Sequence, residues 1–282
     1  MQTLKISSIV YAVFTVSLFL IACADNTQTE QTRTDNVVSV IKQYAFTTSQ
    51  LAGVANDSAA HWLTPELLLL PETINQDRYQ LWTYDQAGFK SVPISVSSMP
   101  NEIATEFPHL ADFHAYKVNL SSTQVKKWLK QQLLVVALDE QEQVQHISYV
   151  QTGAVIDALY TQGEIDANEI SDLGASITGE GVLFKLWAPT AQQVKLLLFD
   201  DDFTPAKTPH LTMVEDTMTG VWSVTGDSLL NGGYYQYQVT VYHPESKKVE
   251  TIVTTDPYSL SLSVNSKYSQ VVDLNDVETQ PE

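Results

Sequence analysis

The chain is 282 residues long and carries 15 Lys and Arg against 33 Asp and Glu, a formal charge of −18 at pH 7. Nucleic acid and anionic lipid surfaces are excluded as partners, since both are held by basic patches. A single cysteine excludes an intrachain disulfide.

Residues 1–22 read as an export signal. Lys5 gives a positive start, and an apolar run from Ile6 to Ala22 follows. The run is marginal for a bilayer span, which needs about 20 apolar residues, and it ends in small residues suited to cleavage. Leu20-Ile21-Ala22-Cys23 resembles the lipobox of bacterial lipoproteins. That resemblance implies cleavage before Cys23, lipid on its sulfur, and attachment to a membrane through it. Acyl chains contribute about 0.8 kcal/mol per buried methylene, so two or more anchor stably. Ala24 stands where an Asp would signal inner-membrane retention, which implies the outer membrane or cell surface of a Gram-negative bacterium. Cleavage removes Lys5 and no acid, so the formal charge moves from −18 to −19.

Residues 23–58 read as a tether. Ala24 to Asn36 is polar and free of aromatics, so it cannot bury enough surface to fold. Val37, Val38, Ile41 and Tyr44 suit a short helix. A first β-domain is expected over 59–162. Leu67 to Leu70 is an apolar run closed by Pro71, and Arg78 to Tyr84 alternates as a half-buried strand. Phe89 to Val96 is interrupted by Pro93, which places it at a sheet edge. A short helix over Thr123–Gln132 precedes a buried strand at Leu133–Leu138 and another at His146–Gln151.

The stretch 163–172 is rich in Asp, Glu and Asn and reads as a linker. A second β-domain follows over 173–276. Its strands are Gly181–Trp187, Val194–Phe199, Gly220–Val224, Tyr234–Tyr242 and Val249–Val253, the last two pairing across His243–Lys248. Many short strands with turn signals imply an all-β chain of two immunoglobulin-like β-sandwich domains in tandem.

Phe184-Lys185-Leu186-Trp187-Ala188-Pro189-Thr190-Ala191, Gly220-Val221-Trp222-Ser223 and Tyr234-Tyr235-Gln236-Tyr237 resemble a carbohydrate-binding module of family 48. Thr255-Asp256-Pro257-Tyr258-Ser259 resembles the exit of that module into the α-amylase-type catalytic barrel of glycoside hydrolase family 13. Leu262 to Asn275 is similar to bacterial lipoprotein pullulanases. Ala60-His61-Trp62, Phe107-Pro108-His109-Leu110 and Gln151 to Asp157 resemble the pullulanase domain that precedes family 48. The resemblance implies the non-catalytic N-terminal part of an enzyme that hydrolyses α-1,6 branch points of pullulan and starch. Only six residues follow Asp276, so the catalytic barrel is expected to be missing and the chain inactive alone. Retaining glycosidases need two carboxyl groups about 5–5.5 Å apart, and no catalytic residue is carried over. The alternatives are a free-standing lipid-anchored α-glucan-binding protein, or a scaffold docking a separately encoded catalytic barrel. No cofactor is expected; calcium, which the full-length family can hold, is not assignable to residues here.

Sugars offer C–H faces to flat rings and hydroxyls to hydrogen-bonding groups. Trp187, Trp222, Tyr235 and Tyr237 are therefore the candidate carbohydrate readers, with core packing as the competing role of both tryptophans. Tyr235 and Tyr237 share one strand face; Tyr234 and Tyr242 share the other. Asp200-Asp201-Asp202 reads as a solvated turn rather than a calcium loop. His109, Asp112 and His114 read as a structural loop rather than a zinc site.

Overall fold

The computed structural model describes residues 54–71, 78–85, 88–163 and 166–274. Cys23, the expected export signal and the expected Val37–Tyr44 helix lie outside the described residues. The all-β expectation holds.

The first domain contains strands β1 (Ala55–Thr64), β2 (Leu67–Leu70), β3 (Arg78–Asp85) and β4 (Gly88–Ser97). Then come β5 (His114–Val118), β6 (Leu133–Leu138) and β7 (Val144–Gln151). Three short helices connect them: α1 (Asn101–Glu106), α2 (Ser122–Trp128) and α3 (Gly153–Tyr160). The strands hydrogen-bond in the order β1-β2-β5-β4-β3-β6-β7, and the ring closes where β7 meets β1. That closing pair is parallel and carries a bulge between Asp57 and Ala60. Ser148 on β7 pins the bulge. Its Oγ accepts from Ala59 N and Ala60 N at 3.2 and 2.9 Å and donates to Asp57.

β6 is buried on both faces. Leu133, Val135 and Ala137 enter the main core with Trp62, Leu68 and Leu81. Leu134, Val136 and Leu138 pack with Trp82 and Ile147 on the opposite face. The expected edge position of β4 is corrected, because β4 pairs with β3 on one side and β5 on the other. Pairing with β5 starts at Ile94, so Pro93 sits where β4 still has one neighbour, a position that tolerates its missing N–H. α2 is started by a capping box: Ser121 accepts from Gln124 N, and the Gln124 side chain accepts from Ser121 N at 2.9 Å.

The second domain contains β8 (Gly174–Thr178), β9 (Gly181–Trp187), β10 (Ala191–Phe199), β11 (Pro205–Thr212) and β12 (Val214–Asp216). β13 (Val221–Gly226), β14 (Tyr234–His243), β15 (Lys248–Thr254), β16 (Ser261–Leu262) and β17 (Ser269–Gln270) complete it. One sheet runs β12-β13-β9-β8, and the other runs β11-β10-β14-β17-β16 with β15 also on β14. The two are packed face to face over Val182, Phe184, Leu186, Val194, Leu196, Leu198, Trp222, Tyr235 and Tyr237. This is a sandwich core, built from alternate residues of each strand.

Two lysines from the region of α2 join the domains. Lys130 Nζ, just past the helix, pairs with Glu215 of β12 at 2.6 Å and donates to Ala191 O at 3.0 Å. It also lies 5.2 Å over the Trp222 ring. Lys126 Nζ donates to the carbonyls of Thr217 and Met218 at 2.9 and 2.8 Å. Gln192 returns a bond to Lys130 O at 2.8 Å. Gly220 has φ +71°, and a Cβ there would stand 2.7 Å from Pro189 and 3.1 Å from Tyr160 of α3. A glycine is required at this contact between the two domains.

The side chains of Lys130 and Glu215 are only 16% and 14% exposed, so Lys130→Ala leaves a largely buried carboxylate without its counter-charge. We expect a loss of about 2–3 kcal/mol, somewhat below that of a fully buried pair. The urea melt should also split into two transitions as the domains uncouple. An unchanged single transition would show that the pair does not hold the seam.

Candidate functional site

The strand β14 decides which aromatics can meet a ligand. Tyr235 and Tyr237 point into the sandwich and are 1% and 0% exposed. Their hydroxyls donate to Asp256 Oδ2 at 2.8 and 3.4 Å. Asp256 is itself buried, and its Oδ1 accepts from Tyr258 N at 2.8 Å. Burial holds its carboxyl above the usual 3.8, outweighing the three donors that pull it down. Burial, with the Asp256 charge next, likewise raises both tyrosines.

Trp222 is 7% exposed and donates its indole N–H to Ala188 O at 3.0 Å. Trp187 is half-buried and donates to Thr219 O at 3.0 Å. These two bonds tie the 188–190 turn to the 217–220 turn, which is the corner held by the lysines. Of the four candidate readers, then, Trp222, Tyr235 and Tyr237 have no ring face open to a sugar. Each is consumed by packing and by a hydrogen bond at its polar end.

The opposite face of β14 carries what the sequence left open. Tyr234, Gln236, Gln238 and Thr240 point away from the core. In register on β10, Phe199 stands opposite Tyr234, Leu197 opposite Gln236 and Lys195 opposite Gln238. Phe203 stacks on Tyr268, with centroids 4.9 Å apart and planes 11° from parallel. Phe199 meets Tyr268 edge-on at 4.8 Å, and Tyr234 tilts against Phe203 at 4.8 Å. Lys267 Nζ lies 5.1 Å over the Tyr268 ring. Tyr268 is nearly buried while Phe203 is 40% exposed, so the stack shows one broad ring to solvent.

The acidic run Asp200–Asp202 builds this presentation. It forms the turn between β10 and β11, closed by Phe203 N to Asp200 O at 2.8 Å and Asp200 N to Thr204 O at 2.9 Å. Asp202 accepts from the Thr204 hydroxyl and N–H at 2.7 and 3.0 Å, and the hydroxyl bond leads in lowering its pKa. Phe203 takes φ +64° in this turn, and its ring lies against Tyr234 and Tyr268. The turn reading of the three aspartates is thus the structural one. Phe203 was missed, and its signal was an aromatic directly after a turn-forming acidic triplet.

A serine, a histidine and an aspartate converge elsewhere, at the β1–β7 seam. Asp57 Oδ2 faces His146 Nε2 at 2.8 Å, and Ser148 donates to the other oxygen of Asp57. A nucleophilic triad needs the histidine on the serine; here the carboxylate sits between them, so Ser148 has no base. Among the described residues no group of three or more His, Cys, Asp and Glu side chains is placed to hold a metal ion.

Two tandem all-β domains, the second an immunoglobulin-like sandwich with an outward aromatic stack, are the class this fold defines. Residues 57–158 match the Pullulanase N2 domain, and residues 172–259 match carbohydrate-binding module 48, the isoamylase N-terminal domain. The chain is 35% identical over 236 residues to a pullulanase of Klebsiella pneumoniae, covering 79% of this chain and 21% of that protein. It is 32% identical over 238 residues to chloroplastic pullulanase 1 of Arabidopsis thaliana, covering 80% and 24% respectively. The solved apo pullulanase of K. pneumoniae superposes with a TM-score of 0.72 at 35% identity, over 85% of this chain and 26% of that one. PulA from Klebsiella oxytoca gives a TM-score of 0.72 at 34% identity, over 81% and 22%. The chain thus carries a Pullulanase N2 domain followed by a carbohydrate-binding module 48 domain. It spans about a fifth to a quarter of the length of the relatives it matches.

The raised Asp256 pKa has a defined pH signature. Between 3.8 and the higher folded value, the unfolded chain ionises while the folded chain keeps its proton. Stability contributed by this group therefore falls as pH rises through that window. Relative to Asp256→Asn, the wild type should lose stability from pH 4 upward in urea titrations. A difference that grows more favourable with pH would reverse the assignment.

Proposed function

We propose that this chain is the accessory, non-catalytic part of a pullulanase-type α-1,6-glucan debranching hydrolase acting on starch or pullulan. Its second domain contacts α-glucan through the Phe203–Tyr268 stack. The observation that carries this reading is the combination of an exposed flat ring with a row of amides beside it. A pyranose lays its C–H face on such a ring while its hydroxyls meet Gln238, Lys195 and the Oε1 of Gln236, whose Nε2 is held by Lys267 O at 2.8 Å. A face of this kind suits a neutral chain, and the strongly acidic protein around it favours no anionic ligand. The family 48 match supports the ligand class, and a related K. pneumoniae PulA has been solved as a maltotriose complex.

The export signal and Cys23 support a second part of the proposal, that the mature chain is lipid-anchored at the outer membrane or cell surface. No helix among the described residues is long and apolar enough to cross a membrane.

The purified chain should be retained on insoluble starch and release no reducing sugar from pullulan. Phe203→Ala should weaken retention about ten-fold, the scale of a lost base-like ring stack, with an unchanged far-ultraviolet spectrum. Equal retention of the variant removes the stack from the proposal. Sugar release abolished by one Asp or Glu substitution removes the non-catalytic reading.

For the anchor, cells fed labelled palmitate should incorporate label into the wild type and none into Cys23→Ser, which should partition to the aqueous phase of a detergent extraction. Label persisting in the variant overturns the assignment.

A further inference from the structure

A cleft of about 230 Å³ lies between the two domains. Tyr149 and Thr152 line it from the first domain, and Thr190 and Tyr242 from the second. Leu129 and Ile156 give it an apolar floor. Its volume is about that of eight waters, so it admits one ring rather than a chain segment.

The hydroxyls here are unspent. Thr152 stands at the N-cap of α3, where its hydroxyl would ordinarily cap the helix, yet it makes no cap bond. Among the described residues, the hydroxyls of Tyr149, Thr152 and Thr190 have no hydrogen-bond partner. Tyr242 is held from behind: the fully buried Gln132 donates its Nε2 to the Tyr242 hydroxyl at 3.3 Å. The tyrosine thereby accepts one bond and keeps its own proton free to donate. Burial pushes its pKa up to about 12, so that proton stays in place at neutral pH. Lys247 Nζ covers one face of the Tyr149 ring at 4.1 Å, and Tyr149 lines the cleft.

Four hydroxyls around an apolar floor are the complement of a small polyol with C–H faces. We infer that this interdomain cleft is a second binding site, taking a single neutral pyranose, either free hexose or the end of an α-glucan. The ligand class rests on the glucan reading above; the residues are separate from the Phe203 stack. A sugar seated there touches both domains at once and is bound only while their seam is closed.

The test is a titration of the full, ¹⁵N-labelled chain with glucose and then maltotriose, read by amide shifts. Glucose should move the amides of Tyr149, Thr152 and Tyr242 saturably. Thr152→Leu fills the cleft and should abolish those shifts while leaving the maltotriose response around Phe203. Tyr242→Phe keeps the ring and should weaken the cleft response roughly five-fold, deciding the matter if the leucine variant does not fold. Maltotriose acting at lower concentration than glucose assigns a chain end, and equal concentrations assign a lone hexose. Still cleft amides beside a responding Phe203 surface overturn this inference alone; stillness at both overturns the glucan reading as well. Equal shifts with glycerol also overturn it.

Discussion

A buried carboxylate settles the orientation of the strand on which the candidate surface is built. Asp256 accepts both Tyr235 and Tyr237, which places the odd residues of β14 inside and forces the even ones out. Strand side chains alternate with a period of two, so a slip of one residue would exchange the faces completely. Such a slip would bury Gln236 and Gln238 and expose the tyrosine pair. The outward stack and the inward core are thus two results of one constraint. Gly174 supports it, since a Cβ there would meet Tyr258 O at 3.0 Å and Asp256 Oδ2 at 3.6 Å.

The seam between the domains obeys a related economy. Lys126 and Lys130 are spent on carbonyls, one carboxylate and two aromatic faces, Tyr160 and Trp222. Trp187 and Trp222, whose indoles tie neighbouring turns, present a rigid corner for those lysines to read. Residues that resemble sugar readers by type are here the fabric that fixes one domain on the other. A firm seam also gives the interdomain cleft a fixed shape, with hydroxyls contributed from both sides.

Much of this was legible from periodicity. The alternation of Arg78–Tyr84, Gly181–Trp187 and Tyr234–Tyr242 and the apolar run Val194–Phe199 all fall on strands. The paired faces of β14 were legible as well, but not which was inside. That choice depends on Asp256, far along the chain from β14 and reached only after β15. β11 escaped notice because Pro205 and Pro209 break its pattern and nearly all of it is exposed. α3 escaped because it is eight residues long and begins without a cap bond. The ring of the first domain rests on a pairing between its first and last strands, which no local pattern records. Phe203 was hidden for a related reason: its role comes from Tyr268, a partner 65 positions later.

The parallel pairing of β1 with β7 has a consequence for assembly. Its pins, Asp57 and Ser148, are 91 residues apart. Bringing such distant points together costs about 4 kcal/mol of chain entropy before any bond forms. The hairpins in between face no such toll, so they form first and the ring shuts last. β1 can pair with β2 early, but its other edge has no partner until β7 is made. During that interval one edge of the leading strand stands open, a ladder that a second copy could occupy in place of β7.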